Sequence, residues 1–232
     1  MARTTKRQKK LAQLAIQKSK YSLEEAIALL KKAPQAKFDE SVDISLVLGV
    51  DPKKSDQQVR GIVSLPHGTG KKMRVLVFAK GEKVQEATAA GAEYVGSEEL
   101  AEKVKSGWTD FDAVITTPDM MREVGKLGKI LGPRGLMPTP KAGTVTQNVG
   151  QAVKDVKAGQ IAFKVDKQAV LNNGVGKLSF SESQLLENLL FYLKSALSAK
   201  PATAKGVYFK RLAISSTMGP GILIDENALA LG

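Results

Sequence analysis

The segment from His67 to Lys72, HGTGKK, contains residue types that could bind a phosphate group. Its glycines leave backbone amides accessible, and its lysines supply positive charge. The pattern of a nucleotide-binding loop is incomplete, because Leu65 occupies the position of its first glycine and Lys72 that of its metal-binding Ser or Thr. We therefore interpret this segment as a glycine-rich hinge with basic residues.

Other residue types that catalysis requires are scarce. His67 is the single histidine and the chain has no cysteine, which excludes multi-histidine metal sites, thiolate metal sites and cysteine nucleophiles. The carboxylate pairs Glu24-Glu25 and Glu98-Glu99 lie at expected helix starts, where they favour the helix dipole without a catalytic role. The sequence thus predicts a protein that is not an enzyme and needs no metal or cofactor.

The charge balance favours a polyanionic partner. The chain has 35 Lys and Arg against 23 Asp and Glu, net +12, and most of the excess lies outside residues 68–157. Each phosphate that a cation neutralises releases condensed counterions, which drives binding to nucleic acid. A basic surface that only keeps the protein soluble is the alternative. Neither a secretory signal nor a membrane span is apparent, so we expect a cytoplasmic protein without a membrane partner.

Two segments have the composition of loops that approach a polyanion. Gly125–Thr146 is rich in Gly and Pro, and Ser215–Gly221, SSTMGPG, combines hydroxyls with a methionine and glycines. Glycine lets a backbone approach phosphate closely, and hydroxyls can bond a ribose 2′-OH. A solvated loop and a tight turn after a strand are the respective alternatives. The charged residues of the first segment are all basic: Lys126, Lys129, Arg134 and Lys141.

The hydrophobic pattern predicts two kinds of sheet to carry these segments. In both flanks apolar and polar residues alternate, from Ser41 to Leu48 and from Ile161 to Asp166, as expected of an antiparallel sheet buried on one face. In the middle, Val75 to Ala79 and Phe111 to Thr117 are nearly continuous apolar runs, separated by helical stretches. Such runs indicate a parallel sheet covered by helices on both faces.

We therefore predict a chain of mixed α/β and α+β class with two domains. Residues 1–67 and 159–232 would form one discontinuous α+β domain, and residues 68–158 an inserted α/β domain. Capping-box spacing predicts helices that begin after Ser22 and after Ser181. The second helix carries a leucine stripe, which we interpret as core, and should end at Lys200-Pro201.

Three segments together resemble the L-one family of bacterial ribosomal proteins. They are FDESVDISLVLGVDPKKSDQQVRG from Phe38 to Gly61, LGPRGLMPTPKAGTV from Leu131 to Val145, and STMGPG from Ser216 to Gly221. Their order and spacing also agree, and the resemblance covers essentially the whole chain. It implies a structural constituent of the large ribosomal subunit with a Rossmann-like inserted domain and no obligate homo-oligomer.

The resemblance also implies three RNA partners. They are the mobile stalk of the large-subunit ribosomal RNA, the exit-site transfer RNA whose movement and release the family assists, and the messenger RNA of the protein's own operon, whose translation it represses. By position, the stalk site would lie in both flanks: Lys37, Phe38, Ser41, Ser216, Thr217, Met218 and Gly219.

We assign each of these residues a physical role as a hypothesis. Lys37 would neutralise phosphate, the hydroxyl residues would bond the RNA backbone or 2′-OH groups, and Gly219 would permit close approach. Phe38 and Met218 would pack against sugars or bases, although a core position beside the sheet is the alternative for Phe38. The insert would make secondary RNA or transfer RNA contacts through Lys129, Arg134 and Lys141.

One segment departs from the family pattern. Where relatives usually have Arg-Asn-Asp-Lys, this chain has Lys164, Val165, Asp166 and Lys167, and Leu171 replaces a usual histidine. Lys164 and Lys167 preserve the charge, so we include them in the predicted RNA site and leave Val165 out. Two other functions stay open at this point: a nucleotide-dependent enzyme built on the middle domain, and an RNA-binding regulator that acts off the ribosome.

Overall fold

The computed structural model describes residues 7, 9, 11, 19–34, 36–140 and 143–225. These residues divide between two compact units, one built from the chain up to Gly70 and from Ala162 onward, the other from Lys71–Ile161. The predicted domain boundaries, 67/68 and 158/159, each differ from these divisions by three residues. The secondary structure is a mixture of helices and strands arranged in three sheets.

The described strands are β1 Ser41–Leu48, β2 Arg60–Ser64, β3 Val75–Phe78, β4 Tyr94–Gly96, β5 Ala113–Thr116, β6 Gln160–Lys164, β7 Val170–Lys177, β8 Phe209–Ser216 and β9 Ile222–Ile224. The described α-helices are α1 Leu23–Lys32, α2 Glu82–Ala89, α3 Glu98–Lys105, α4 Met121–Lys126, α5 Gly128–Leu131, α6 Val149–Lys157 and α7 Glu182–Ser198. Short 3-10 helices occupy Ser55–Gln57 and Pro118–Met120.

The first unit contains a four-stranded sheet of order β7-β1-β8-β9. β1 pairs antiparallel with β7 on one side and β8 on the other, so the sheet joins strands from both flanks of the chain. Alternate residues of β1, from Val42 to Leu48, are buried, while the intervening residues are partly or fully exposed. This confirms the alternation predicted for β1. The β6 segment instead pairs with β2 in a separate two-stranded sheet.

Helices α1 and α7 pack against each other and against this four-stranded sheet. Both begin with the predicted capping boxes, in which Ser22 exchanges hydrogen bonds with Glu25 and Ser181 with Gln184. The leucine stripe of α7 divides: Leu185, Leu189 and Leu193 are buried, whereas Leu186, Leu190 and Leu197 are only half-buried at its edges.

The second unit contains a parallel sheet of order β4-β3-β5. Leu76 and Phe78 of β3 enter one apolar cluster, with residues of α3, α4 and α5, while Val75 and Val77 enter another, with α2 and α6. Burial on both faces is what a continuous apolar run predicts. The strand β4 was not predicted. Within the described residues, we find no helix that is both long and apolar enough to cross a membrane.

Candidate nucleic-acid interface

The start of β1 and the end of β8 meet at one edge of the four-stranded sheet. The amide of Ser41 donates to Oγ1 of Thr217 at 2.9 Å, and the amide of Thr217 donates to the carbonyl of Ser41 at 3.0 Å. These reciprocal bonds extend the pairing of the two strands by one residue beyond Val42 and Ser216. Residues that are 176 positions apart in the sequence therefore lie side by side.

The residues Ser216–Gly219 form a tight turn directly after β8. The amide of Gly219 donates to the carbonyl of Ser216 at 3.0 Å, which closes the turn. A Cβ on Gly219 would overlap the Oγ of Ser216, so a side chain here would have to displace that hydroxyl. The glycine predicted to permit close approach of RNA is thus also required by the turn itself.

The carboxylate of Glu40 joins this turn to the loop before β1. One oxygen, Oε2, accepts from Oγ of Ser216 at 2.7 Å and from the amide of Met218 at 3.0 Å. The other, Oε1, accepts from the amide of Ala36 at 2.7 Å and from the guanidinium of Arg7 at 3.1 Å. Glu40 is only 1% exposed, and no feature of the sequence identified it as a site residue.

Burial and hydrogen bonding act in opposite directions on Glu40. Burial alone would raise the pKa of its carboxyl, but the hydrogen bonds from Ser216, Met218 and Ala36, together with the charge of Arg7, outweigh burial. The result is a pKa below its usual value of 4.5. Glu40 is therefore ionised at neutral pH and acts only as an acceptor.

Two large apolar side chains project from these two loops into solvent. Phe38 is 55% exposed and Met218 is 54% exposed. The core position considered for Phe38 is therefore wrong, because the loop closed by Glu40 carries the ring outward. Lys37, beside Phe38, and Thr217, beside Met218, are also exposed. This arrangement offers two apolar surfaces with a cation and a hydroxyl next to them, which suits sugars, bases and phosphate.

The hydroxyl of Ser216, which the sequence analysis assigned to RNA, is bonded within the protein. It is buried, and its hydroxyl hydrogen is donated to Glu40. We therefore assign its side chain to the support of the turn, and a contact of Ser216 with RNA stays a prediction.

Lys177, which was not predicted as a site residue, lies at the end of β7 opposite Ser41. Its Nζ donates to Oγ of Ser41 at 3.1 Å and to the carbonyl of Asp39 at 3.3 Å. The register between β1 and β7 shifts between Val42 and Asp43. A regular alternation of β7 therefore would not have placed this lysine beside Ser41.

The predicted cations of the second unit are only partly described. Lys129 and Arg134 are exposed, and the guanidinium of Arg134 donates to the hydroxyl of Thr109. Lys141 lies outside the described residues. The segment is less irregular than we predicted, because it is helical through α5 and becomes a loop only at Gly132. Leu127 and Leu131, spaced four residues apart, are fully buried and hold these short helices to the core.

The histidine of the segment from His67 to Lys72 contacts α7. His67 Nε2 lies 2.5 Å from Oε2 of Glu187, and its amide donates to Asn188. Gly68 and Gly70 both have positive φ, as a glycine-rich connection requires. Among the residues with described positions, no three His, Asp or Glu side chains cluster as metal ligands would.

Comparison with known proteins supplies the observation that the geometry leaves open. Residues 29–220 match the family model described as the Ribosomal protein L1p/L10e family. The chain belongs to this family. It is 61% identical over 232 residues to "Large ribosomal subunit protein uL1" of Protochlamydia amoebophila, with 99% of this chain and 98% of the relative covered. Proteins of the same name from Chlamydia pneumoniae and Kosmotoga olearia are 59% and 54% identical, over 90% and 98% of both chains.

The segment from Lys164 to Lys167, which the sequence analysis singled out as a departure, does not join the site at Glu40. Lys164 ends β6 and Lys167 lies in the turn before β7, where the amide of Leu48 donates to the carbonyl of Ala169 at 2.8 Å. That is the opposite end of β1 from Ser41, about 23 Å away for a strand that rises ~3.3 Å per residue. Both lysines are exposed. The predicted site thus consists of two separate groups.

Val165 and Leu171, the other two residues singled out in the sequence analysis, are core residues. Val165 is 6% exposed, and its amide donates to the carbonyl of Val59 at 2.9 Å. Leu171 is fully buried on β7, opposite Leu46. Replacing a polar side chain by Leu at such a position adds apolar packing instead of a group that can reach RNA.

Proposed function

We propose that this protein is a constituent of the large ribosomal subunit that binds the mobile stalk of its ribosomal RNA. The observation that carries the proposal is the junction of the two flanks through Glu40 and Thr217, which brings Lys37, Phe38 and Met218 to one exposed edge. Membership of the family supports it, since highly similar relatives are named as large ribosomal subunit proteins. The place of action would be the ribosome in the cytoplasm.

Recognition would depend on shape and on groups specific to RNA. Lys37 neutralises a phosphate, and the Thr217 and Ser41 hydroxyls bond the sugar-phosphate backbone or 2′-OH groups. The exposed faces of Phe38 and Met218 pack against sugars or bases. Gly219 keeps the turn flat enough for the RNA backbone to approach. Lys164 and Lys167 attract a second run of phosphates at the other end of β1.

Two further roles belong to the same proposal. Lys129, Arg134 and Lys141 would contact transfer RNA in the exit site and assist its movement and release. The Glu40 edge would also bind the messenger RNA of the protein's own operon, at a site that imitates the stalk, and so repress its translation. The messenger RNA role needs no additional site, whereas the transfer RNA role uses the separate group of cations in the unit Lys71–Ile161.

The division of the chain into two compact units suggests that each unit has its own binding function. We propose that the two compact units are two domains, of which the unit Lys71–Ile161 is a Rossmann-like insert that is used for binding and not for catalysis. In parallel sheets of this kind, ligands usually bind beyond the carboxyl ends of the strands. Fold alone does not assign an activity there.

The test is cosedimentation with large ribosomal subunits. Large subunits that lack this protein are mixed with the purified protein and sedimented at moderate and high salt. Stoichiometric binding that survives the salt supports a ribosomal constituent. Binding that disappears, while the protein still selects a stalk-like messenger RNA, would replace the proposal by a regulator that acts off the ribosome.

A further inference from the structure

We infer that Glu40 is a positioning residue of the RNA site, which holds both recognition loops in their binding geometry before RNA arrives. The inference rests on the proposed function. It assigns a role to an anionic side chain in a surface that must bind a polyanion, where charge alone predicts that an acid is harmful.

Glu40 lies between the two loops that carry the predicted recognition residues. Its bond from the amide of Ala36 closes a five-residue loop that presents Lys37 and Phe38. Its bonds from Oγ of Ser216 and the amide of Met218 shape the turn that presents Thr217 and Met218. One carboxylate thus fixes two loops that come from opposite ends of the chain.

Only an ionised carboxylate suits this position. Glu40 is almost completely buried, and all its partners are donors: two backbone amides, a hydroxyl and a guanidinium. A carboxylate has two acceptor oxygens and no hydrogen, whereas a glutamine amide has one oxygen and an NH2 group. In Glu40→Gln, the NH2 group would face donors on one side, and buried donors there would lose their acceptor.

The partners also explain why the negative charge does not repel RNA strongly. The guanidinium of Arg7 lies 3.1 Å from Oε1 and also donates to the carbonyl of Met218 at 3.2 Å. Charge-assisted hydrogen bonds of this kind are the strong ones, and they direct the carboxylate's lone pairs inward. The carboxylate therefore accepts hydrogen bonds from donors within the protein. The side chains proposed to contact RNA, such as Lys37, Thr217 and Met218, are neutral or basic.

A positioning role and simple charge repulsion predict opposite changes of RNA affinity for Glu40→Gln. Neutralising an acid that only repelled RNA would tighten binding to every RNA and steepen its dependence on salt. Neutralising an acid that positions the loops weakens binding to the RNA that the loops recognise, and leaves the binding of unrelated RNA unchanged or slightly tighter. The number of phosphate contacts, and hence the salt slope, stays the same.

The experiment compares full-length wild type, Glu40→Gln and the control Glu93→Gln, each against a stalk-RNA fragment and an unrelated RNA of equal length. Glu93 is a matched control because it is a hydrogen-bonded carboxylate of lowered pKa in the other unit, which accepts from the amide of Val75 and from Lys157. The control changes net charge equally. We expect Glu40→Gln to bind stalk RNA at least about tenfold more weakly than wild type. Glu93→Gln should bind it as tightly as wild type.

The outcomes separate this inference from the proposed function. Wild type without selectivity for stalk RNA would remove the function itself. Selective wild type, with Glu40→Gln binding stalk RNA equally well or more tightly, would overturn the inference alone. If Glu40→Gln does not fold, Ser216→Ala removes the hydroxyl donor without changing charge. A several-fold loss confined to stalk RNA then supports the inference, and unchanged affinity overturns it.

Discussion

Gly219 lies where the recognition turn has no space for a Cβ, because the Oγ of Ser216 occupies it. That hydroxyl cannot move aside without leaving Glu40, to which it donates at 2.7 Å. Gly221, two residues later, has open space where a Cβ would lie, with no heavy atom within 4 Å. The same segment therefore contains a glycine that the geometry requires and one that it does not.

Substituting Gly219 and Gly221 one at a time distinguishes the effect of turn geometry on RNA affinity from the effect of chain flexibility. We expect Gly219→Ala to weaken stalk-RNA binding by about tenfold, which is ~1.4 kcal/mol, because the methyl group would displace the Ser216 hydroxyl from Glu40. Gly221→Ala should change the affinity less than about twofold, which is ~0.4 kcal/mol. Titrations of both variants with the same RNA measure this. Equal losses would show that the required feature is flexibility and not the tight turn.

The pKa of Glu40 predicts how the stability of the RNA-binding unit depends on pH. Because the folded-state pKa lies below the usual 4.5, the ionised form is favoured by folding. Its contribution to stability is complete above the unfolded-state pKa and is lost as pH falls through the folded-state value. We therefore expect acidification from above the usual pKa of 4.5 to below the lowered folded-state pKa to decrease the melting temperature of wild type more than that of Glu40→Gln. An identical decrease in both proteins would contradict the assigned network.

Composition pointed to the turn at Ser215–Gly221, and resemblance alone pointed to Lys37, Phe38 and Ser41. Neither identified the residues that position them. Glu40 looks like an ordinary acid in the sequence, and its function depends on Ser216 and Met218, which lie 176 and 178 positions away. Lys177 was hidden by an irregular register. The positions of Glu40 and Lys177 depend on long-range strand pairing and on its register. Local composition indicates neither.

At the scale of elements, β1 is central because both of its ends carry candidate RNA contacts. Ser41 and Thr217 meet at its first residue, and Lys167 lies near its last, beside the bond between Leu48 and Ala169. A strand of eight residues keeps these two groups apart at a fixed distance. The two ends should therefore contribute differently to binding.

We expect the double variant Lys164→Ala, Lys167→Ala to weaken the binding of all RNAs by a similar factor. Both side chains are exposed cations at the end of β1 remote from the recognition turn, so they would contact phosphate, which carries no sequence information. The slope of log affinity against log salt should decrease by roughly 0.7–0.9 per lost phosphate contact. Measuring that slope on stalk RNA and on unrelated RNA tests this. A loss confined to stalk RNA would mean that this end of β1 also reads shape.

Predictability differed between elements for physical reasons. β1, β3 and β5 were predicted because long apolar patterns with period two, or continuous apolar runs, have few other interpretations. β4 has only three residues and none of them is fully buried, so no pattern identified it. The helix α5 and the last two residues of α4 were interpreted as loop because the segment Gly125–Thr146 is rich in glycine and proline. Their burial depends on two leucines packing against the parallel sheet.

At the scale of the whole molecule, all the residues of the Glu40 edge belong to the unit outside Lys71–Ile161. The chain leaves this unit after β2 and re-enters it along β6, and these two strands pair. The unit also has its own sheet and packed helices. Nothing in the described RNA-binding edge therefore requires the inserted unit.

Replacing residues 71–161 by a short Gly-Ser linker should leave stalk-RNA selectivity intact. We expect the shortened protein to unfold cooperatively and to bind stalk RNA within about threefold of wild type, a change of ~0.7 kcal/mol. Its affinity for transfer RNA should decrease more, because Lys129, Arg134 and Lys141 are removed. Calorimetry and RNA titration measure both. A folded variant without selectivity would show that the inserted unit contributes to stalk recognition.

The edge built around Glu40 is proposed to read the shape of stalk RNA, and wild-type binding over a range of salt concentrations tests this without any substitution. Affinities are determined for a stalk-RNA fragment and for an unrelated RNA of equal length. We expect the preference for stalk RNA to persist at high salt, because hydrogen bonds and packing do not release counterions. Equal affinities that fall together as salt rises would contradict shape recognition and leave only a basic protein.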